Sequence, residues 1–228
     1  MNNEPETNRL AADNARLRGD LLAVATRVSH DLRTPLGGIL SAAEALHEIT
    51  GENPAACSLV EALLVSADEL GRMIKDVGFV LKATANPLPK EALKMEDVFA
   101  CALQRVEYRI VKSSAKVSQP SSWPSTKGVS IWVEMIWSIF LEDGLKRGGN
   151  PPDIQTGWRA GDSEQIFWLR AGAGVPSEQR AELFQQFDLL HRPNSGALNF
   201  AIARRLAELQ GGRCGCGDDA SIFFTLPL

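Results

Sequence analysis

Apolar residues recur at three- and four-residue steps through Leu10, Leu17, Leu21, Val24, Val28, Leu32, Ile39 and Leu40, the spacing of one face of a helix. Turn chemistry at Thr50-Gly51-Glu52-Asn53-Pro54 interrupts this pattern. A second helical stretch follows through Leu59, Leu63, Leu64, Leu70, Met73, Ile74, Val77, Val80 and Leu81. The spacing therefore predicts a hairpin of two long helices between about Asn8 and Ala85, antiparallel because the connection is short. A lone hairpin cannot cover its own apolar stripe. A second copy is the expected cover, giving a four-helix bundle made by a homodimer.

Thr84-Ala85-Asn86-Pro87-Leu88-Pro89 ends the helical pattern and reads as a linker, dividing the chain into regions 1–86 and 87–228. The second region changes texture. An amphipathic segment from Met95 to Val111 precedes a Ser/Pro-rich stretch, Ser118 to Ser125. A tryptophan-rich helix candidate, Val129 to Lys146, carries Ile131, Trp132, Ile136, Trp137 and Phe140 as expected core. Two strand candidates (Ile154–Trp158 and Gln165–Leu169), a helix candidate (Ala197–Gln210) and a closing strand (Ser221–Leu226) complete the chain. The fold class is then α+β: a helical hairpin followed by a two-layer α/β sandwich.

Composition narrows the function classes. The formal net charge of −4 leaves no basic surplus to neutralise phosphates, so no nucleic-acid partner is expected. No uncharged apolar run is long enough to span a bilayer, and the polar, acidic opening gives no sign of a secretory leader. A cytoplasmic location is the expectation. Of the four cysteines only Cys214 and Cys216 are close, and Cys-Gly-Cys is too short for a zinc knuckle. Reduced thiols and no metal site are expected.

Candidate chemistry concentrates at Val28-Ser29-His30-Asp31-Leu32-Arg33-Thr34-Pro35-Leu36. On a helix His30 and Thr34 share a face, and Asp31 lies beside the imidazole. A neutral imidazole can attack phosphorus while a neighbouring carboxylate orients it and accepts the proton of its other nitrogen. Thr34 is placed to hold a water for hydrolysis, and Pro35 should kink the helix. The string closely resembles the H-box of bacterial sensor histidine kinases, and Ser66-Ala67-Asp68-Glu69-Leu70-Gly71-Arg72-Met73-Ile74-Lys75-Asp76 resembles that family's return helix. Glu182–Phe187 is similar to its F-box, Ala201–Gly212 to the helix after its ATP lid, and Thr225–Leu228 to its last strand. The resemblance implies a phosphoacceptor hairpin with an ATPase-type domain of the GHKL kind. His30 would be the phosphoacceptor, Asp31 its orienting base, Arg33 an electrostatic partner for phosphate, and Thr34 a phosphatase residue.

The nucleotide boxes depart from that family. The two N-box asparagines, one of them a Mg²⁺ ligand, fall on Ile139 and Asp143, with Lys146 as the usual basic residue. Isoleucine offers magnesium no oxygen. The Asp-x-Gly-x-Gly box becomes Arg170-Ala171-Gly172-Ala173-Gly174, which keeps both glycines and loses the adenine acceptor. An unpaired buried adenine amino group costs about 1–3 kcal/mol. The third, glycine-rich box falls on Ser195-Gly196-Ala197-Leu198-Asn199, without the glycines that let backbone approach phosphate. Asp143, Lys146, Gly172 and Gly174 are thus cofactor-binding candidates only if nucleotide binds at all. No resident cofactor is expected; ATP and Mg²⁺ enter only under the alternative of a working kinase using Asp143 or Glu142. The leading expectation is phosphoryl exchange between His30 and receiver-domain aspartates of response regulators. A non-catalytic scaffold that docks a receiver or a kinase is the remaining alternative.

Overall fold

A computed structural model describes residues 4–49, 53–184 and 197–228. The chain divides into two compact units, Met1–Pro87 and Leu88–Leu228.

The first unit is a hairpin of α1 (Glu4–Ile49) and α2 (Pro54–Ala85). Asn53 caps α2, its side-chain oxygen accepting from the amides of Ala55 and Ala56 at 3.1 and 3.3 Å, with Pro54 in the first turn where no amide is needed. The earlier turn residues, Thr50 to Glu52, lie outside the described residues. Pro35 sits within one continuous helix rather than ending it. Leu36, Ala67 and Ile74 pack together with Leu40 between the helices. Close approach of the helices falls at two glycines of α2. A Cβ at Gly71 would meet Leu36 at 3.2 Å, and one at Gly78 would meet the Ser29 hydroxyl at 3.2 Å. A second apolar row stays open to solvent: Leu17, Leu21, Val24, Val28 and Leu32 on α1, with Leu63, Leu70 and Met73 on α2. None of the described helices is long and apolar enough to cross a membrane.

The second unit begins with β1 (Glu91–Lys94), α3 (Met95–Ser113), β2 (Lys116–Ser118), β3 (Ser125–Gly128) and α4 (Ser130–Arg147). It continues through β4 (Asp153–Ala160), β5 (Glu164–Ala171), α5 (Ser177–Leu183), α6 (Ala197–Leu209), β6 (Cys214–Cys216) and β7 (Ile222–Pro227). β1 and β3 form a small antiparallel pair. The main sheet runs β2-β4-β5-β7-β6, parallel only between β2 and β4. α3, α4 and α6 pack together as a helical layer with the core beneath them, so the unit is the expected two-layer sandwich.

The core is aromatic. Phe167 and Phe224 stack at 5.1 Å, and Trp137 meets Phe224 and Phe99 edge-on at 5.1 and 4.8 Å. Four of the five residues singled out on α4 are buried, whereas Ile131 is 44% exposed because it lies in the first turn on the outer side of the helix. Strand alternation sends Phe167, Leu169 and Ala171 of β5 inward and Trp168 and Arg170 to the other face.

Candidate functional site

Two places collect the candidate residues, one in each unit. The first is the exposed face of α1 around His30. Ser29 sits against Gly78 of α2, which fixes the rotation of α1 and turns the next side chain to solvent. His30 is 79% exposed and Asp31 53%. The imidazole Nδ1 lies 3.4 Å from Asp31 Oδ1. An ionised carboxylate only accepts, so a hydrogen bond here uses the tautomer with its proton on Nδ1, which leaves the Nε2 lone pair free. Arg27, one turn earlier, donates from Nε to Asp31 Oδ2 at 2.8 Å. The Arg27 guanidinium, followed by His30, holds the Asp31 carboxyl below its ordinary range.

Beside His30 runs a shallow groove of about 760 Å³, lined by Gly19, Leu22, Ala23, Thr26, Arg27, His30 and Asp31. Small side chains one and two turns before His30 leave the ring approachable from that direction. Thr34 and Arg33 are both exposed on the following turn. Arg33 makes no described contact with Asp31; the arginine that does is Arg27, at the i,i+4 spacing that favours ion pairs.

The second place lies where α4, the end of β5, the turn into α5 and the start of β7 converge. Asp143, Arg147, Leu169, Ala171, Gly174, Val175, Ala220 and Ile222 surround a cavity of about 10 Å³, the room of roughly one water. Asp143 accepts from Arg147 Nε at 2.6 Å, and Arg147 Nη1 donates to Gln179 of α5 at 3.0 Å. Burial pushes the Asp143 carboxyl above its ordinary range despite Arg147. Ile139, on the same helix, is buried apolar core. Lys146 is exposed one turn away.

Arg170 is not the residue that faces this cavity. Strand alternation turns it outward, and Ala171 takes the inward position. Neither supplies a buried acceptor: arginine has none, and alanine has no polar side-chain atom. Gly172 and Gly174 both adopt positive φ, +52° and +80°, in the turn after β5. A Cβ at Gly174 would sit 2.5 Å from the Ala220 carbonyl oxygen, so the bare backbone is used for packing against the approach to β7.

α5 is fastened over this region. Arg180 donates to the carbonyls of Val175 and Asp218 at 2.9 and 3.2 Å. Phe184 packs on Phe200 and Phe140 at 5.0 and 6.3 Å, and its carbonyl accepts from Arg204 at 3.0 Å. Gln185 to Phe187 of the F-box-like string and Ser195-Gly196 of the third box lie outside the described residues. Among the described residues no cluster of three or more His, Cys, Asp or Glu is arranged to hold a metal.

Comparison with known proteins bears on both places. Residues 20–80 match the His Kinase A (phospho-acceptor) domain. FilI of Methanothrix harundinacea, a methanogenesis regulatory histidine kinase, is 27% identical over 213 residues, 88% of this chain and 24% of its own length. The sensor histidine kinase AruS of Pseudomonas aeruginosa is 27% identical over 238 residues, 96% of this chain and 23% of its own. This chain therefore spans about a quarter of the length of these relatives. Among solved structures, full-length ShkA in complex with AMPPNP superposes with a TM-score of 0.67 at 23% identity, covering 90% of this chain and 45% of ShkA. The nucleotide-free catalytic domain of the histidine kinase ThkA gives 0.51 at 13% identity, covering 61% of this chain and 96% of that domain.

Proposed function

The chain belongs to the sensor histidine kinases of two-component signalling, as a HisKA hairpin joined to their ATPase-type sandwich, and from that premise we propose that it is a histidine phosphotransferase that does not use ATP. The observation that carries this reading is the contrast between its two sites. His30 is exposed with Asp31 beside its ring, while the two positions on α4 where the family carries its asparagines hold an isoleucine and an aspartate bonded to Arg147.

In the forward direction the Nε2 lone pair of His30 attacks the phosphorus of a receiver's aspartyl phosphate. The P–N bond forms as the acyl P–O bond breaks, and the receiver carboxylate leaves with the electron pair. Asp31 stabilises the positive charge that develops on the ring through Nδ1–H. Transfer to another receiver is the same step reversed. In the hydrolytic direction Thr34, one turn beyond His30, holds the attacking water on the same helix face. Arg33 lies within the same turn and offers the incoming phosphate a cation.

The donor set does not fit Mg²⁺ and adenine nucleotide. Isoleucine at 139 offers magnesium no oxygen, and one carboxylate oxygen of Asp143 already accepts from Arg147. Adenine finds no carboxylate at position 170 or 171. ShkA, with which this chain shares its fold, was solved with AMPPNP. An ATP-driven reading of this chain requires Asp143 or Glu142 to hold Mg²⁺. Titration calorimetry with Mg²⁺-ATP and Mg²⁺-ADP up to millimolar concentration tests this. The expected result is no heat; micromolar binding would replace the proposal with an autokinase centred on His30.

A HisKA hairpin implies dimerisation, and the open apolar row on α1 and α2 supports a second copy as its cover. The partner in phosphoryl exchange is a response-regulator receiver domain.

A further inference from the structure

Arginine and aspartate one turn apart are common on this hairpin: Arg16 reaches Asp20 at 3.9 Å and Arg72 reaches Asp68 at 3.4 Å. Exposed pairs of this kind contribute little to stability and need no further role. The Arg27–Asp31 pair differs in what the second carboxylate oxygen does. One oxygen accepts from Arg27 Nε at 2.8 Å, and the other faces His30 Nδ1 at 3.4 Å.

A carboxylate on an exposed helix face rotates freely unless something holds it. The imidazole contact is long and, by itself, weak. The arginine bond is short and charge-assisted, so it sets the carboxylate plane. Arg27 precedes His30 by three residues and Asp31 by four, which brings all three onto one side of α1 and onto one wall of the groove beside His30.

We propose that Arg27 is a positioning residue for the phosphoacceptor: by clamping one oxygen of Asp31 it keeps the other on His30 Nδ1, so that Nε2 is the nitrogen presented to phosphorus. The inference rests on the reading of His30 as phosphoacceptor and adds a residue to it. In this role Arg27 acts through Asp31, the residue it is bonded to.

The test uses the full chain and potassium phosphoramidate, which needs no receiver. The His30 Nε2–P bond forms as the P–N bond of phosphoramidate breaks, and the leaving nitrogen departs as ammonia. Initial rates of His30 phosphorylation are followed by ³¹P NMR, with the helical circular dichroism signal checking each variant. Arg27→Gln should slow labelling about tenfold, the scale of a modest loss of orientation. Arg27→Lys should regain part of that rate. In an Asp31→Asn background Arg27→Gln should cost nothing further, because the carboxylate it positions has gone. Equal rates for wild type and Arg27→Gln would overturn the proposal. So would a tenfold loss that persists in Asp31→Asn, which would place Arg27 directly on the phosphoryl group or in the fold. A wild-type chain that phosphoramidate never labels at His30 would remove the phosphoacceptor reading itself, and the positioning role with it.

Discussion

At Asp143 burial and charge pull in opposite directions. Burial raises its carboxyl above the ordinary value and Arg147 lowers it, with burial the larger. Arg147→Ala removes the counter-charge and should destabilise the sandwich by about 1–3 kcal/mol at pH 7. A carboxyl raised in the fold is penalised while it is ionised, and that penalty fades as acid protonates it. The Arg147→Ala deficit should therefore shrink as pH falls toward the raised Asp143 value, which denaturant titrations at pH 7 and pH 5 would measure. The thiols give a second test. Burial pushes Cys216 up to about 11 and Cys214 well above its ordinary value, whereas Cys101 is exposed. Iodoacetamide at pH 8 should label Cys101 readily and spare both thiols of β6, Cys216 until the pH approaches 11. At this scale His30, Asp31 and Thr34 stand out as candidates in the sequence because their motif is local to one helix. Arg147 and Gln179 do not, because their meaning comes from a cavity assembled by α4, α5, β5 and β7. Arg27 lay in plain view at i,i+4 from Asp31, and that spacing was the available signal.

Elements long enough to show a period could be read from the chain. α1, α2, α4, α6, β4, β5 and β7 each sit where a helical or alternating pattern lies. β1, β2, β3 and β6 do not show one, since strands of three or four residues offer too few positions for alternation. Their partners define them: β1 exists by pairing with β3, and β2 by lying along β4. The Ser/Pro-rich stretch from Ser118 to Ser125 accordingly holds the end of one strand and the start of another. Strand phase also decided Arg170 against Ala171, a one-residue difference that reverses the face presented. The turn after β5 gives the prediction at this scale. Gly174→Ala combines a left-handed backbone with a Cβ 2.5 Å from the Ala220 oxygen. The backbone conformation alone costs about 1–2 kcal/mol, so the variant should unfold at visibly lower temperature by calorimetry.

For the molecule as a whole, the hairpin's open apolar row and the HisKA match point to the same assembly. Leu63→Glu together with Leu70→Glu should shift the protein from dimer toward monomer in sedimentation equilibrium, because charges would replace part of that row. The second unit shares its fold with ShkA, and in it Asp143, Arg147 and Gln179 are joined by hydrogen bonds. A folded domain that binds no nucleotide would still contribute surface and rigidity, and under the proposal His30 is the group that carries phosphate. The most direct test of that assignment is transfer of ³²P from phosphorylated receiver domains to this protein with no nucleotide present. The account predicts an acid-labile, alkali-stable label on the wild-type chain and none on His30→Ala. The contradicting result is a chain that no receiver labels while Mg²⁺ and γ-labelled ATP phosphorylate His30.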